Sequence, residues 1–396
     1  MTRVLLAYSD TGGGHRAAAN AIREALALIS PSVQTTMVDP YAMSERWPFD
    51  RLSAVYPRVV DNASWIWRSG FRLTNSRRCT ATLQAMAWPA LRPTFRAIER
   101  AESPDVIVST HSLLTIPIRR VFPHVPLVVV VTDLVSGHKS WYDRRADLLV
   151  APTPAARASA VSCGVDPDRI EVLGLPVAAS FARASGDSAF GAFASGAALG
   201  WSELRPTVLM LGGGDGVGPI EDMALAIDAS DLPCDLAIVA GRNAPLATRL
   251  RARRWHRMVH VYDFVHTLDA MMRSAAALVT KAGPGTICEA FAAGCPLVLT
   301  GAVPGQETGN IKLVCEGGAG LWAPSGEQVC RALRAWLVGA DSADARANAA
   351  FAALRLARPH AARDIARRVL ELARQPRAGG RSIRPRSFSP RANRRT

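Results

Sequence analysis

The chain has 396 residues, of which 49% are apolar, 20% charged and 6% aromatic, and its formal net charge is +14. This length and apolar content allow two domains, each with a core of its own. The most apolar run, Val125–Val131, is far shorter than the roughly 20 residues that span a bilayer, so no membrane-crossing segment is predicted. The excess of positive charge fits nucleic acid, anionic lipid or a diphosphate ligand equally well.

Cysteine usage bears on the cellular compartment. The seven cysteines contain no CxxC pair and no regular spacing. The N-terminal apolar run, Arg3–Tyr8, is too short for the core of a signal peptide. An odd number of cysteines without a signal peptide predicts reduced thiols and a cytoplasmic location.

The chain opens with a predicted strand, Arg3–Tyr8, followed by the glycine turn Gly12–Gly14 and a helix that begins at about His15. The spacing from Gly12 to Ala17 formally fits the dinucleotide fingerprint GxGxxA. Asp39, at the end of the second predicted strand, stands where a ribose-binding acid is expected. This segment alone therefore leaves an NAD or FAD enzyme as a candidate.

Tryptophan and arginine are interleaved between Glu45 and Arg100. Indole rings at headgroup depth and guanidinium groups on phosphates suit a membrane surface, so Trp65 and Trp67 are predicted to contact anionic lipids. The alternative is a set of amphipathic helices with tryptophan in the core and arginine in solvent. RNA binding would lack any recognisable module, so no nucleic-acid partner is expected.

The stretch from Ala277 to Asn310 contains two polar loops that follow predicted strands. Pro284 fits the first turn of a helix, and the glycines at 283 and 285 let backbone N–H groups approach an anion there. Glu289 lies one turn deeper and can accept hydrogen bonds from ribose hydroxyls. The amide and carboxyl side chains at 306, 307 and 310 suit sugar hydroxyls. The two loops predict a nucleotide-sugar site at the carboxyl edge of a parallel sheet.

These motifs resemble the monogalactosyldiacylglycerol synthase and processive diacylglycerol glucosyltransferase family, which is related to the MurG-type transferases of glycosyltransferase family 28. The matching segments are TKAGPGTICEA and GQETGN in the second half, with SDTGGGHRAAA, the TDL…H..W pattern and GRN elsewhere. The resemblance covers about residues 3 to 340. Asp263 departs from the family's Gly-Phe-Val, and Ala277 stands where relatives often carry Asp.

The resemblance implies an α/β chain with the GT-B fold, in which two Rossmann-like domains face each other across a cleft. An acceptor- and membrane-binding domain is expected at 1–176, a connection at 177–205 and a UDP-sugar-binding domain at 206–342. A single C-terminal helix at 343–375 is expected to pack back on the N-terminal domain. The arginine-rich tail, 376–396, is predicted to be disordered.

The resemblance also implies roles for individual residues. The expected donor-binding set is Gly213, Gly214, Arg242, Phe264, Val265, Lys281, Gly283, Gly285, Thr286, Glu289, Gln306, Glu307 and Asn310. The expected acceptor and membrane set is Gly13, Gly14, His138, Trp141, Trp65 and Trp67. No acidic pair or His/Cys cluster suggests a metal site, so neither a metal nor a cofactor is expected beside the donor substrate.

Three residues compete for the role of general base. Transfer with inversion, which the resemblance implies, needs a group that takes the proton of the acceptor hydroxyl. His15 is the preferred base, because a helix N-terminus disfavours imidazolium and keeps the ring neutral near pH 7. Asp133 either orients His15 or acts itself, and His138 is the third candidate.

The predicted activity is transfer of a hexose from a UDP-sugar to diacylglycerol or a glycosyl-diacylglycerol, which makes a glycolipid. The predicted partners are UDP-hexose, diacylglycerol and anionic membrane lipids. The predicted location is cytoplasmic, peripheral on the inner face of the cell membrane. A MurG-like transferase with another lipid-linked acceptor is the near alternative, and an NAD(P)-dependent Rossmann enzyme is a more distant one.

Overall fold

The computed structural model describes residues 1–10, 13–51, 64–182, 196–216 and 218–375. Its strands form two parallel six-stranded sheets, which confirms the predicted α/β class. The strands are β1 Arg3–Ala7, β2 Gln34–Val38, β3 Val106–Ser109, β4 Leu127–Val130, β5 Leu148–Ala151, β6 Ile170–Val172, β7 Thr207–Leu211, β8 Asp235–Val239, β9 Val259–Tyr262, β10 Ala277–Lys281, β11 Leu297–Gly301 and β12 Gly320–Trp322.

Helices cover both sheets. They are α1 Gly14–Ile29, α2 Ser64–Thr74, α3 Arg77–Ala101, α4 Thr115–Val121, α5 Pro154–Ser162, α6 Ala179–Ala182, α7 Ile220–Asp228, α8 Ala244–Ala252, α9 Leu268–Ser274, α10 Pro284–Ala293, α11 Thr308–Glu316, α12 Gly326–Leu337, α13 Ser342–Leu356 and α14 Ala361–Arg374. The prediction for the tail, 376–396, and part of the predicted connection, 183–195, fall outside the described residues.

The first sheet has the strand order β2-β1-β3-β4-β5-β6, so the direction of chain progression reverses between β1 and β3. Successive residues of β1 enter opposite core layers, with Leu5 in one layer and Val4 and Leu6 in the other. Parallel strands that are covered on both faces read as continuous apolar runs, as β4 does over its whole length. The loops after β1 and β3 therefore separate at one edge and leave a crevice between them.

The second sheet has the order β12-β11-β10-β7-β8-β9, the doubly wound Rossmann arrangement. Its reversal lies between β7 and β10, which pair in register from Ala277 opposite Val208. The glycine loop that begins at residue 212 follows β7, and the start of α10 follows β10. Pro284 occupies the first turn of α10, and Gly294 ends the helix with a φ of +65° that favours glycine. Pro284 therefore lies in the first turn of a helix, as predicted.

The segment rich in tryptophan and arginine contains helices α2 and α3. Ser76 caps α3, because its hydroxyl accepts the backbone N–H of Cys79. Phe95 and Ile98 of α3 are buried in the core of the first half, and Trp88 packs partly against that core. Trp88 thus follows the amphipathic-helix alternative. The side chains of Trp65 and Trp67 lie outside the described part of the chain.

The C-terminal region differs from the single helix expected at 343–375. It forms two helices, α13 and α14, which are separated at 357–360. Pro359 lies in this interval, and proline disfavours the helical conformation of the residue before it. Helix α13 packs on α10 and α12 of the second half, whereas α14 packs on α1 of the first half. The expectation of one continuous helix is therefore wrong, and α14 alone returns to the first half.

None of the helices in the described part of the chain combines the length and the hydropathy that a transmembrane segment requires.

Close backbone packing in the second half yields a test of the glycine loops. Gly241 has a φ of +61°, and a Cβ there would lie 2.5 Å from the carbonyl oxygen of Gly214. Gly200 has a similar φ of +72°, but a Cβ there would meet no atom within 4 Å. We expect Gly241→Ala to lower the free energy of unfolding by about 3 kcal/mol, from conformational strain plus overpacking.

The matched control, Gly200→Ala, carries the conformational strain without the clash and should cost about 1 kcal/mol. Urea denaturation followed by circular dichroism measures both values. Equal losses in the two variants would contradict the close approach of the two loops.

Candidate active site

His15 lies in the first turn of α1, where the loops after β1 and β3 meet. Its Nδ1 is 2.8 Å from the carbonyl oxygen of Thr110 and 3.0 Å from the hydroxyl of Thr132. Because a carbonyl oxygen can only accept, Nδ1 carries the proton and donates it to Thr110. The neutral ring therefore has its lone pair on Nε2, which is the form that a general base needs.

The surroundings of His15 keep its ring neutral. Burial lowers the pKa of His15 to about 4, against the opposing effects of its hydrogen bond to Thr110 and of the Asp10 charge. The ring meets that of His111 edge-on, with centroids 4.7 Å apart, and its centroid is 5.9 Å from that of Trp141. The main cause of the low pKa of His15 is thus desolvation, and not the helix dipole on which its prediction as a neutral base was based.

Asp133 joins the two halves of the chain. Its Oδ2 accepts the indole N–H of Trp141 at 2.7 Å, and its Oδ1 accepts the side-chain amide of Gln306 at 2.9 Å. Burial raises the pKa of Asp133, an effect that these hydrogen bonds oppose. Since Thr110 and Thr132 hold the His15 ring, the expectation that Asp133 orients His15 is wrong.

Trp141 was expected at the acceptor and membrane surface, but only 1% of it is exposed. Its indole ring belongs to the core of the first half, beside His15. Trp141 therefore donates a hydrogen bond to Asp133 and packs beside His15, and it does not face a membrane.

His138 is held in the tautomer that does not suit a base. Its Nδ1 accepts the backbone N–H of Ser140 at 3.2 Å, so the proton is on Nε2. Nε2 lies 3.3 Å from the hydroxyl oxygen of Thr74, which itself donates to the carbonyl of Gly70 at 2.7 Å. His138 therefore donates to Thr74 and connects helix α2 to the site. Burial also lowers the pKa of His138.

Arg242 lies between the glycine turns of the two halves. Its Nη2 and Nε are 2.7 and 3.0 Å from Oδ1 of Asp215, and its guanidinium lies over the Phe264 ring at 5.4 Å from the centroid. A Cβ on Gly13 would be 3.4 Å from Nη2, and a Cβ on Gly214 would be 3.2 Å from it. A cation in this position suits an anion bound between the two halves.

Lys281 and Glu307 link the loop before α10 to the loop before α11. Lys281 Nζ is 2.6 Å from Oε1 of Glu307, whose Oε2 accepts the backbone N–H of Val303 at 2.8 Å. Glu307 is only 5% exposed. Both oxygens of Glu307 are engaged, so its side chain positions Lys281 and the loop. The prediction that Glu307 faces a sugar hydroxyl is therefore wrong.

Asn310 has a similar structural position. It is 1% exposed, and its amide nitrogen donates to the carbonyl of Ala282 at 2.9 Å. Its Oδ1 is buried without a hydrogen-bond partner among the described residues. Asn310 therefore ties the first turn of α11 to the loop before α10.

Glu289 lies in α10, and burial alone raises its pKa to about 7. A carboxyl group in such surroundings gains more from a hydrogen-bonding ligand than one in solvent does. Gly283 is the N-cap of the same helix, and its N–H donates to the carbonyl of Lys281 at 2.8 Å. Gly285 and Thr286 lie in the first turn, where backbone N–H groups have no helical acceptor. This end of α10 has the features of an anion site. Beside it, Glu289 can accept a hydrogen bond from a sugar hydroxyl.

The remaining predicted residues take less specific positions. Gly213 has a φ of +73°, and a Cβ on Gly14 would meet no atom within 4 Å. Val265 packs partly against the core of the second half, whereas Phe264 is 48% exposed. A Cβ on Gly213 would likewise meet no atom within 4 Å, so there is open space beside the glycine turns at Gly14 and Gly213.

Four residues at the site were not selected from the sequence. Thr110 and Thr132 orient His15, His111 packs on its ring, and Asp215 holds Arg242. Thr110 and Thr132 lie just beyond the carboxyl ends of β3 and β4. A polar residue in that position, next to the reversal of strand order, was the signal that could have identified them.

Among the described residues, no three His, Cys, Asp or Glu side chains are grouped so that they could hold a metal ion.

Comparison with known families divides the chain at the same place as the two sheets do. Residues 15–177 match the family described as monogalactosyldiacylglycerol (MGDG) synthase. Residues 208–308 match the glycosyltransferase family 28 C-terminal domain. The two matches contain His15 and the glycine loops of the second half, respectively.

Curated relatives align with nearly the whole chain. The probable monogalactosyldiacylglycerol synthase 2, chloroplastic, of Oryza sativa subsp. indica is 32% identical over 94% of this chain and 81% of its own length. Monogalactosyldiacylglycerol synthase 1, chloroplastic, of Arabidopsis thaliana is 31% identical over 94% of this chain and 71% of its own length.

Solved structures share the fold at low sequence identity. MurG of Acinetobacter baumannii has a TM-score of 0.54 at 14% identity, covering 94% of this chain and 100% of that one. The UDP-GlcNAc 2-epimerase of Neisseria meningitidis, bound to UDP-GlcNAc, has a TM-score of 0.58 at 12% identity and covers 93% and 100%. These similarities confirm the predicted GT-B fold. They do not decide the reaction, since one fold serves a MurG protein and an epimerase.

The predicted location is contradicted by these relatives. The sequence analysis expected a cytoplasmic protein on the inner face of the cell membrane, whereas the curated relatives are described as chloroplastic. The prediction of that location is therefore wrong.

The geometry of His15 predicts the kinetics of its variant. His15→Ala should lower kcat by about 10² to 10⁴, because the acceptor hydroxyl loses the group that takes its proton. The affinity for the donor should change little, because His15 lies in the first half of the chain and the predicted donor-binding residues lie in the second. At saturating donor, the rate of the unchanged protein should rise with pH through a pKa below the usual 6.5 of histidine, in the direction of about 4. Steady-state kinetics from pH 3.5 to 8 measures this limb.

His138→Ala is the control, because its Nδ1 already accepts the N–H of Ser140. It should keep the same ascending limb. If His15→Ala kept both the limb and most of its kcat, the base would be a different group.

The raised pKa of Glu289 predicts a proton linkage in donor binding. Burial disfavours its carboxylate, and ribose hydroxyls donating to it would restore the ionised form. The affinity for a UDP-sugar should therefore increase as the pH rises from 6 to 8, through the pKa of about 7, and then level off. Calorimetry in buffers of different ionisation enthalpy should detect proton release near pH 7.

Glu289→Gln has nearly the same shape and does not titrate, so its affinity should be lower and independent of pH over this interval. A UDP-sugar is the appropriate probe, because the terminal phosphate of UDP has its own ionisation in this range. Affinity that falls as the pH rises would show that Glu289 acts in the protonated form or does not touch the donor.

Proposed function

The chain belongs to the monogalactosyldiacylglycerol synthase family and is a UDP-sugar-dependent glycosyltransferase, and from this premise we propose that it transfers a hexose to diacylglycerol or a glycosyl-diacylglycerol with inversion. The observation that carries the proposal is the fixed tautomer of His15. Its Nδ1–H is held by the Thr110 carbonyl, so Nε2 is left as a proton acceptor. An NAD(P) site has no need of this arrangement at its glycine turn.

The acceptor reaction follows from that tautomer. The acceptor hydroxyl oxygen attacks the anomeric carbon of the donor while its proton passes to Nε2 of His15. The bond between the anomeric carbon and the UDP oxygen breaks, and its electron pair leaves with UDP. A single displacement of this kind inverts the anomeric centre. His15 becomes imidazolium, and Thr110 continues to accept from its Nδ1.

The leaving diphosphate needs positive groups that are already in place. The first turn of α10 supplies backbone N–H groups, and Lys281 supplies positive charge next to it. Arg242 supplies positive charge between the glycine turns of the two halves. Asp215 holds Arg242 at 2.7 Å, and Glu307 holds Lys281 at 2.6 Å. Since both cations are fixed before the donor arrives, little reorganisation is needed as negative charge develops on UDP.

The division of work between the halves is part of this proposal. The first half, 1–176, contains the acceptor groups, and the second half, 206–342, contains the donor groups. Gln306 lies at their boundary, because it donates to Asp133 across the cleft. Helix α14 supports the first half, where Arg368 pairs with Glu171 at 2.7 Å.

A surface on α2, α3 and the loop before them supports binding to an anionic bilayer. Its exposed cations are Arg68, Arg72 and Arg78, and its apolar residues Trp47, Leu73 and Met86 are 80%, 76% and 74% exposed. We name this set the basic-apolar surface. Each basic residue near an anionic bilayer contributes about 1 kcal/mol of attraction, and exposed apolar side chains enter the interface.

The near alternative, a MurG-like transferase with a different lipid-linked acceptor, differs only in the acceptor. The basic-apolar surface suits either lipid. The family membership favours diacylglycerol.

One assay tests the proposal. The protein is incubated with radiolabelled UDP-galactose, UDP-glucose or UDP-glucuronate and with vesicles that contain diacylglycerol, with or without anionic lipid. We expect label in a diacylglycerol glycoside, more product with anionic lipid, and less at high salt, because salt screens the attraction. The anomeric configuration of the product, measured by NMR, should be opposite to that of the donor.

Vesicles without diacylglycerol are the control and should yield no labelled lipid. Label in a different lipid-linked acceptor would favour the MurG-like alternative. Retention of configuration would exclude the single displacement through His15.

A further inference from the structure

Helix α2 has one face turned to solvent and another turned to the site. Arg68, Arg72 and Leu73 are exposed and belong to the basic-apolar surface. Phe71 and Thr74 are only partly exposed. The helix therefore has a charged outer face and an inner face that contacts neighbouring residues.

Phe71 contacts both halves of the chain. Its ring meets that of His138 edge-on, with centroids 5.1 Å apart. On the other side, a Cβ on Gly305 would lie 3.0 Å from Cδ1 of Phe71 and 3.3 Å from its Cε1. Gly305 has a φ of +86°, a conformation that favours glycine, and it directly precedes Gln306. The Phe71 ring thus rests on the backbone of the loop that carries Gln306.

We call the segment 303–310 the donor loop; it comprises the loop before α11 and the first residues of that helix. The donor loop has further contacts with the first half. Gln306 donates to Asp133 at 2.9 Å. A Cβ on Gly309 would lie 2.5 Å from Oγ of Ser136 and 2.8 Å from Cβ of Val135. The same loop holds Lys281 through Glu307 at 2.6 Å. A displacement of α2 would therefore reach the donor loop, and through Glu307 it would reach the cation at the start of α10.

We propose that Phe71 is a positioning residue that couples a lipid surface bound on the outer face of α2 to donor binding in the second half. The inference rests on the proposed function, in which the basic-apolar surface binds an anionic bilayer. Docking of α2 on the bilayer fixes Phe71 against Gly305, and the donor loop is then held in the arrangement that keeps Lys281 in place. Two hydrogen bonds anchor the end of α2. The backbone N–H of Lys139 donates to Oδ1 of Asn75 at 2.8 Å, and Nε2 of His138 donates to the hydroxyl of Thr74 at 3.3 Å.

Thermodynamic linkage makes this coupling measurable without catalysis. If bound vesicles strengthen the affinity for UDP by some factor, bound UDP must strengthen the affinity for vesicles by the same factor. The coupling exists only if the vesicle distinguishes between two arrangements of α2. Removal of the Phe71 ring should reduce the coupling factor, while each separate affinity stays close to its original value.

The experiment measures the Kd of UDP by calorimetry with and without saturating vesicles of anionic phospholipid, and the Kd of vesicles with and without saturating UDP. We expect vesicles to strengthen UDP binding by about fivefold or more, within the usual range for coupled sites. In Phe71→Ala the factor should fall below about twofold in both directions. Phe71→Leu, which keeps an apolar contact with Gly305, should restore part of it.

The matched control is Phe351→Ala, which removes the same side chain from a 64% exposed position on α13. It should leave the coupling unchanged. Circular dichroism and the two separate affinities establish that Phe71→Ala is folded. If this variant kept the full coupling factor, or if the unchanged protein bound UDP and vesicles independently, the inference would be overturned and the proposed function would stand. If no vesicle binding occurred, the lipid-surface part of the proposed function would fail, and the inference would fail with it.

Discussion

The geometry of parallel sheets is the constraint on which both halves of the site depend. All strands of such a sheet end at one edge, and the loops separate where the strand order reverses. In the first sheet the reversal lies between β1 and β3, and there His15 meets the carbonyl of Thr110. In the second it lies between β7 and β10, beside the glycine loop and the start of α10. The proposed base and the proposed diphosphate site are thus products of one topological rule, applied twice.

Most of the polar groups near this site hold one another in place. A buried charge is stable only when it is paired, so Glu307 is engaged by Lys281 and by a backbone N–H, and Asp133 by Trp141 and Gln306. In Asp133 these hydrogen bonds oppose the effect of burial on the pKa, whereas burial alone accounts for the raised pKa of Glu289. Burial is also the largest cause of the lowered pKa of His15, and it favours the neutral ring.

Several contacts bridge the two halves of the chain. Arg242 lies beside Gly13, Asp133 accepts from Gln306, and Phe71 rests on Gly305. The donor loop takes part in the last two of these contacts. A loop that belongs to one half but is supported by the other can respond to both ligands, and this is the physical basis for linking lipid binding to donor binding.

The sequence by itself determined the sheets, the turns and the region of the site. Continuous apolar runs predict strands buried on both faces, and glycine turns before helices predict the crevice, because both signals are local.

The roles of individual side chains were decided by the tertiary structure. Gln306 and Glu307 are neighbours with similar side chains, yet one meets Asp133, 173 positions away, and the other Lys281, 26 positions away. His15 and His138 differ in tautomer for the same reason: the atom that faces Nδ1 is a carbonyl oxygen of Thr110 in one and a backbone N–H of Ser140 in the other. Ser140 is a local partner of His138, but Thr110, Asp133 and Lys281 lie far along the chain from the residues they contact. Only the folded chain brings these distant partners together, so residue spacing cannot reveal them.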